Sequence, residues 1–144
     1  DPVVYAPHVL KDRVSGAGDS APHVLLTMAV DDGMGPNDST EMLARAMDLP
    51  LVPPATVPYD GLKLLDSAPV RANLADSSIT AGFFQFDRAT MGQNQDPVAA
   101  EHNNVPGCLE GVSQSISFLR EWLKTGVAEI VDPYSELGIK PLAE

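Results

Sequence analysis

Side chains that can move protons follow two strand-like segments of this chain. Asp31 and Asp32 come directly after the apolar run of residues 23–30, and His102 lies in a polar stretch before the last helical segment. In a catalytic triad a histidine takes a proton from a nucleophile and passes it to the leaving group, while a carboxylate holds the imidazole in the required tautomer. One of the two aspartates and His102 therefore form a candidate acid and base pair.

The third member of such a triad, the nucleophile, has no candidate in the sequence. No Gly-x-Ser-x-Gly elbow occurs, and the nearest string, residues 15–18 (Ser-Gly-Ala-Gly), lacks both the spacing and the preceding buried strand that expose a serine. The nucleophile is therefore expected outside these 144 residues.

The acid loop is expected between a buried strand and a helix. Residues 23–30 form a short apolar run, which is typical of a parallel-sheet strand, and residues 31–38 predict an irregular turn. Asn37 or Asp38 can cap the helix that follows, with Glu41 three residues after Asp38. The apolar positions of this helix are Met42, Leu43, Ala46 and Met47. Strand, loop and helix in this order make half of a βαβ unit.

The base loop is expected between a second strand and the last helix. Residues 50–76 are rich in proline, which predicts a packed, extended excursion without long helices or central strands. Residues 79–86 return to strand-like composition. The polar residues 87–104, which include His102, predict a long ordered loop, and such loops are often functional.

The last helix is predicted after residue 107, with Ser113 as its cap and Gly126 as its stop. Its apolar face, expected to pack on the core, consists of Leu109, Val112, Ile116, Leu119 and Leu123. Phe118 and Trp122 are also interpreted as core side chains, because aromatic residues at helical spacing usually are.

This order of elements predicts an α/β fold, with parallel-sheet strands and flanking helices in a single segment that spans residues 1–144. Two convincing strands are too few to close a parallel sheet covered by helices on both faces. The strand at residues 23–30 should therefore be central, with neighbours on both edges, at least one of them supplied from outside this chain. The first residues contain no initiator methionine and no leader pattern, so upstream residues are expected to have been removed.

Four motifs resemble the C-terminal part of secreted bacterial α/β-hydrolases of the serine esterase or lipase type. They are Asp1-Pro2 with Tyr5-Ala6-Pro7-His8, the acid loop ending in Gly35-Pro36-Asn37, the string His102-Asn103-Asn104-Val105-Pro106, and Val131-Asp132-Pro133. In these hydrolases the acid follows a glycine and precedes Val-Pro-Asn, so the resemblance selects Asp32 over Asp31. Here Asp31 stands in place of the glycine, and Gly35 in place of the valine. Triad members in this family run serine, aspartate or glutamate, then histidine, which is the order of Asp32 and His102.

The resemblance implies a C-terminal subunit of a carboxylic-ester hydrolase, produced as a two-chain or proteolytically processed heterodimer. Asp32 and His102 would be catalytic, and an N-terminal chain would carry the Gly-x-Ser-x-Gly serine and the oxyanion-hole amides. The chain alone is then expected to be inactive. The implied substrate is a small-molecule or lipid ester, the implied location is extracellular, periplasmic or in the cell envelope, and no cofactor is expected.

A second hypothesis is a non-catalytic structural or assembly protein that keeps a hydrolase-like scaffold and associates through exposed sheet edges. His8 and His23 have no evident acid partner in the sequence and are assigned no catalytic role. The acidic cluster of residues 31–41 does not reproduce the spacing of an EF-hand loop, so no metal site is predicted.

Composition excludes several other classes. The formal net charge of −11 and the nine scattered lysines and arginines disfavour a nucleic-acid partner. No apolar run approaches the roughly 20 residues needed to cross a bilayer, so no membrane span is predicted. Cys108, the single cysteine, excludes an internal disulfide and is interpreted as a small buried side chain.

Overall fold

The computed structural model of the chain describes residues 1–18, 20–74 and 77–142. In chain order the elements are α1 (Pro2–Tyr5), α2 (Pro7–Leu10), β1 (Val24–Ala29), α3 (Asn37–Met47), β2 (Leu51–Val52), β3 (Val70–Arg71), β4 (Ala81–Phe86), β5 (Arg88–Ala89), β6 (Val98–Ala99), a 3-10 helix (Val105–Gly107), α4 (Leu109–Thr125), β7 (Glu129–Ile130) and α5 (Pro133–Leu137). The predicted mixed α/β character is therefore correct. No helix within the described ranges is long and apolar enough to span a membrane.

The central sheet is parallel and has three strands, in the order β1, β4, β2. Along the β1 and β4 pair, the register runs from Val24 opposite Ala81 to Ala29 opposite Phe86. Every residue of β4 is buried, whereas β1 is half-buried at its start, exposed at Thr27 and buried only at its last two residues. Within the described residues β1 has β4 as its only strand neighbour, so in this chain it is an edge strand, and the neighbour expected from outside the chain stays a prediction.

The core consists of two apolar clusters, built by alternate side chains of the central strands. Phe84 and Phe86 pack in one cluster with Tyr134 of α5. Phe83 packs in the other with Met47 of α3. Each fully buried ring stabilises the fold by roughly 1.5–3 kcal/mol relative to an exposed one. The strand that pairs with both neighbours is thus also the strand that holds the core together.

Helix α4 begins at Leu109 and ends at Gly126, whose φ of 78° suits glycine. The predicted stop is correct, but the predicted cap is not: Cys108, and not Ser113, caps the helix, because its sulfur accepts the Gly111 amide. The orientation predicted for α4 is also wrong. Its buried positions are Glu110, Gly111, Gln114 and Ser117. The side chains of the predicted core face that are exposed are Val112, Ile116, Leu119 and Leu123, and Trp122 is exposed beside them.

Helix α3 starts at the predicted place without the predicted caps. Pro36 occupies the cap position, and no side chain bonds the first amides. The Asn37 side chain instead donates to the Val30 carbonyl at 2.7 Å. Glu41 pairs with Arg45 one turn later. Met42, one of the apolar positions at helical spacing, is exposed, and Ala44 and Met47 are the buried residues of this helix.

The two long irregular segments contain short strands. The proline-rich residues 50–76 supply β2, which pairs with β4, and β3, which pairs antiparallel with β7; residues 75 and 76 lie outside the described part. Residues 19, 143 and 144 of the predicted single segment also lie outside it. The predicted loop at 87–104 contains the antiparallel pair β5 and β6. Along the chain, this small hairpin follows β4 and precedes His102.

Candidate functional site

The structure brings together the two residues singled out for proton transfer. Asp32 Oδ2 and His102 Nδ1 are 2.9 Å apart, although 70 positions separate the residues in sequence. Asp32 follows β1, and the segment that carries His102 follows β4. Because the two strands are parallel neighbours, both segments leave the sheet at the carboxyl ends of the strands. Asp31 is exposed, and the imidazole contacts Asp32.

Asp32 is held in its ionised form by three donors. Its Oδ1 accepts the amides of Met34 and Gly35, each at 2.8 Å, and its Oδ2 faces His102. The Gly35 amide, the His102 ring and the Met34 amide together lower the pKa of Asp32 below its ordinary value. An ionised Asp32 accepts a hydrogen bond from Nδ1–H, which leaves the lone pair of His102 on Nε2. This is the tautomer that a general base requires.

The absence of a side chain at Gly35 leaves space for the hydrogen bond between Asp32 and His102. A Cβ at this position would lie 3.2 Å from Asp32 Oδ2 and 3.6 Å from His102 Nδ1. A larger side chain would extend further over the same pair of atoms. Glycine therefore allows the acid loop to pass directly over the contact, a role that its position in the sequence did not reveal.

Asn37 closes the acid loop from the opposite end. Its Nδ2 donates to the carbonyl of Val30, whose own amide donates to Phe86 of β4 at 2.8 Å. The residues on both sides of Asp32 are thus tied to the end of the sheet. The sequence signal that could have found this role is the polar residue at the first position of a helix, which we interpreted as a cap.

The base loop is held by Asn104 and by a buried carboxylate. Asn104, two residues after His102, accepts the Glu101 amide at 2.8 Å and donates to the Ala99 carbonyl at 2.9 Å, so it is bonded to residues that precede His102. Glu110, fully buried in the first turn of α4, accepts the amide of Thr90 at 2.9 Å and its hydroxyl at 2.6 Å. The loop from residue 90 to residue 109 is therefore closed at its base. Sequence reasoning missed Glu110, because it lies outside the apolar face of α4 that was predicted to pack on the core.

Tyr134 of α5 supports the start of the same segment. Its hydroxyl donates to the Arg88 carbonyl at 3.0 Å and accepts the amides of Asp87 and Arg88 at 3.2 and 3.3 Å. Burial raises the pKa of Tyr134 well above its ordinary value, so the hydroxyl stays protonated and able to donate. Asp132, from the Val-Asp-Pro string, caps the helix that carries this tyrosine.

A cavity of about 230 Å³ opens beside the pair. Its lining residues are Thr27, Met28, Ala29, Asp32, Thr40, His102, Val105 and Pro106. The His102 side chain is 55% exposed, so its free edge is accessible, whereas the Asp32 side chain is only 12% exposed. Within the described residues this lining contains neither serine nor cysteine. The arrangement can therefore accept and return a proton, but the cavity itself holds no hydroxyl of serine and no thiol to attack a substrate.

The other candidate groups have structural roles. His23 accepts the Thr80 amide on Nδ1 at 2.9 Å, and its Nε2 contacts the Gly126 carbonyl at 3.1 Å, so both ring nitrogens are used. Cys108 is buried, as predicted, and burial raises the pKa of its thiol. Across the described part of the chain, no three or more histidine, cysteine or acidic side chains are grouped closely enough to hold a metal ion.

Comparison with protein-family models, with curated proteins and with solved structures gives no match to this chain. What the structure defines is therefore a class of arrangement: an α/β chain whose parallel sheet carries a carboxylate and imidazole pair beyond the ends of its strands. Its function has to be argued from the geometry of that pair.

Proposed function

We propose that this chain supplies the acid and the base of a serine-type carboxylic-ester hydrolase, as the C-terminal part of an α/β-hydrolase. In this proposal Asp32 is the acid and His102 the base, and a second polypeptide carries the serine. The observation that supports it most directly is the contact between Asp32 Oδ2 and His102 Nδ1, with the opposite edge of the imidazole accessible. The hydrolase-like motifs around both residues support the same proposal.

The proposed chemistry follows from the protonation states at this pair. His102 Nε2 takes the proton from the serine hydroxyl while the serine oxygen attacks the ester carbonyl. The imidazolium then gives that proton to the departing alkoxide, which leaves an acyl-serine. Water, deprotonated by His102, releases the acid in the second half of the reaction. Asp32 remains ionised throughout and stabilises the imidazolium, and its low pKa suits this role.

The substrate class proposed is a small-molecule or lipid ester, and the proposed location is extracellular or in the cell envelope. Both follow from the resemblance to secreted esterases and lipases. The serine and the oxyanion-hole amides would come from an N-terminal chain, so the 144 residues alone should not catalyse acyl transfer.

The second candidate function, a non-catalytic assembly protein, is favoured by one specific observation. The outer edge of β1 and the outward face of α4 are both without a partner in the described residues, as they would be in a protein that assembles through them. Under this hypothesis the Asp32 and His102 pair would only fix two loops. The chemical reactivity of the native assembly distinguishes the two candidates.

The experiment is to isolate the protein with its native partners, determine the intact mass of each polypeptide under denaturing conditions, and treat the assembly with a fluorophosphonate. We expect a partner that contains Gly-x-Ser-x-Gly to be labelled on its serine. His102→Ala should slow labelling by about 10²- to 10⁴-fold. His8→Ala, which removes another exposed histidine, is the matched control and should label normally.

Two results would refute the proposal. Labelling that is unchanged in His102→Ala would exclude His102 as the base. An assembly that contains only copies of this chain, or a complete absence of labelling, would favour the assembly protein instead.

A further inference from the structure

The outward face of α4 is apolar along its whole length. Ile116 is 55% exposed, Leu119 52% and Leu123 77%. The buried residues of the opposite face are polar or small; Glu110 accepts from Thr90, and Gln114 donates to the Val131 carbonyl. An exposed apolar stripe of this kind on a helix marks an interaction surface.

The spacing of the stripe indicates what covers it. It begins at the half-buried Leu109 and continues through the exposed Val112, Ile116, Leu119 and Leu123. Successive members are separated by three, four, three and four residues, which is the a and d pattern of a heptad. Side chains at this spacing form holes that accept the side chains of a second helix lying nearly parallel or antiparallel to the first. An extended segment would instead present side chains at a period of two. The stripe therefore fits an apolar helix.

The stripe continues into the free edge of the sheet. A cleft of about 400 Å³ separates α4 from the start of β1 and is lined by both elements, including Leu25 and Leu119. The amides of Val24 and Val30 donate to Thr80 and Phe86 on the β4 side. Because alternate residues of a parallel strand point to opposite edges, the backbone groups of Leu25, Thr27 and Ala29 point away from β4. Helix face and strand edge thus form one surface.

The size of the stripe disfavours a second copy of this chain as the occupant. A 17-residue helix is about 25 Å long and about 10 Å wide. Its projected area, about 250 Å², is well below the roughly 800 Å² that each partner buries in a stable complex. Two copies would also bring together net charges of −11 each. A stable occupant has to extend from the helix to the strand edge.

We infer that the α4 stripe and the outer edge of β1 form one docking surface for the serine-carrying polypeptide. That polypeptide lays an apolar helix along α4 and a strand beside β1. This inference rests on the proposed function and adds the structural elements by which the partner is held. It also places the partner next to the strand whose end carries Asp32.

The first test concerns the purified chain. Sedimentation velocity at tens of micromolar should give a monomer. A dimer that dissociates in Leu119→Gln would show that a second copy covers the stripe, which would overturn the inference.

The second test uses a defined probe, a stapled helical peptide of 18 residues with leucine at a and d positions. Its control has the same composition with the leucines moved to alternate positions. The chain should bind the first peptide and not the second, and Ile116→Gln or Leu119→Gln should weaken binding at least tenfold. Met42→Gln, which changes an exposed apolar residue on another helix, should leave binding unchanged. No binding, or equal binding by all variants, would refute the helix part of the inference.

The third test uses the native assembly. Thr27→Pro should leave the chain folded, because the Thr27 amide points away from β4, but it should release the partner. If Ile116→Gln and Thr27→Pro both leave association and serine labelling intact, the docking surface is wrong while the proposed function stands. If both variants release a partner that no fluorophosphonate labels even in the unmodified assembly, the surface is correct and the proposed function is wrong.

Discussion

Two regions of the molecule differ in how many of their groups have partners within the chain. One is the end of the sheet that carries Asp32 and His102, and the other is the outer side formed by α4 and β1. At the first, Asp32 has three donors, Glu110 binds both donors of Thr90, and Asn104 ties together the residues on either side of His102. At the second, four apolar side chains of α4 are 41% to 77% exposed, and one edge of β1 has no strand neighbour in the described chain.

This difference indicates that the geometry of the site does not depend on the open side. The hydrogen bonds that hold both loops come from within the chain, so the Asp32 and His102 contact should persist in the isolated polypeptide. What a partner adds is a nucleophile and cover for apolar surface. Substitutions on the two sides should therefore differ sharply in their cost to folding.

The largest expected effect compares two large apolar residues. Phe84→Ala removes a ring that is fully buried in β4 and should lower the free energy of unfolding by about 3–5 kcal/mol. Leu123→Ala, on the open side, should change it by no more than about 0.5 kcal/mol. Urea denaturation of the isolated chain measures both values. Similar losses for the two variants would mean that the α4 stripe is already covered in the isolated chain, and the comparison would fail.

The next effect concerns the buried carboxylate at the base of the His102 loop. Glu110→Gln places an amide nitrogen against a donor of Thr90, so one buried donor loses its acceptor, at a cost of about 1–3 kcal/mol. Glu101→Gln, an exposed glutamate in the same loop, is the matched control and should be nearly neutral. Urea denaturation gives the stability of each variant. Equal stability of both variants would show that the Thr90 contact does not hold the loop.

The same comparison explains which predictions from sequence succeeded. The pairing of one of the two aspartates with His102 was predictable, because both segments follow strands and parallel neighbours end on the same side of a sheet. The choice of Asp32 over Asp31 came from the resemblance to the hydrolases. The orientation of α4 was not. Periodicity identifies an apolar face, but it does not indicate whether the residues that cover this face belong to the same chain. The buried position of Glu110 was equally hidden, because its partner Thr90 is 20 residues away and carries no motif.

The central sheet also contains one strand that sequence patterns could predict and one that they could not. β4 was recognised from its strand-like composition, and all its residues are buried. β2 was not, because it contributes only two residues from a proline-rich segment and is identified by its pairing with β4. Short strands have little local signal, so their existence depends on a tertiary contact that sequence patterns do not contain.

The smallest expected effect tests the site itself through pH. The pKa of Asp32 is lower in the folded chain than the ordinary value of about 3.9, so its ionised form stabilises the fold. That stabilisation should be complete above about pH 5 and should be lost as the pH falls through the folded pKa, where the carboxylate takes up a proton. Asp32→Asn should therefore be less stable than the unmodified chain at pH 6, and the difference should shrink as the pH falls through the folded pKa of Asp32. Thermal unfolding across this range measures the difference. Repeating the comparison in a His102→Ala background separates the donors: the part due to the Gly35 and Met34 amides should remain, and the part due to His102 should disappear. A pH-independent difference between the chain and Asp32→Asn would show that the folded state does not favour the ionised acid, and Asp32 would then be unsuited to stabilise an imidazolium.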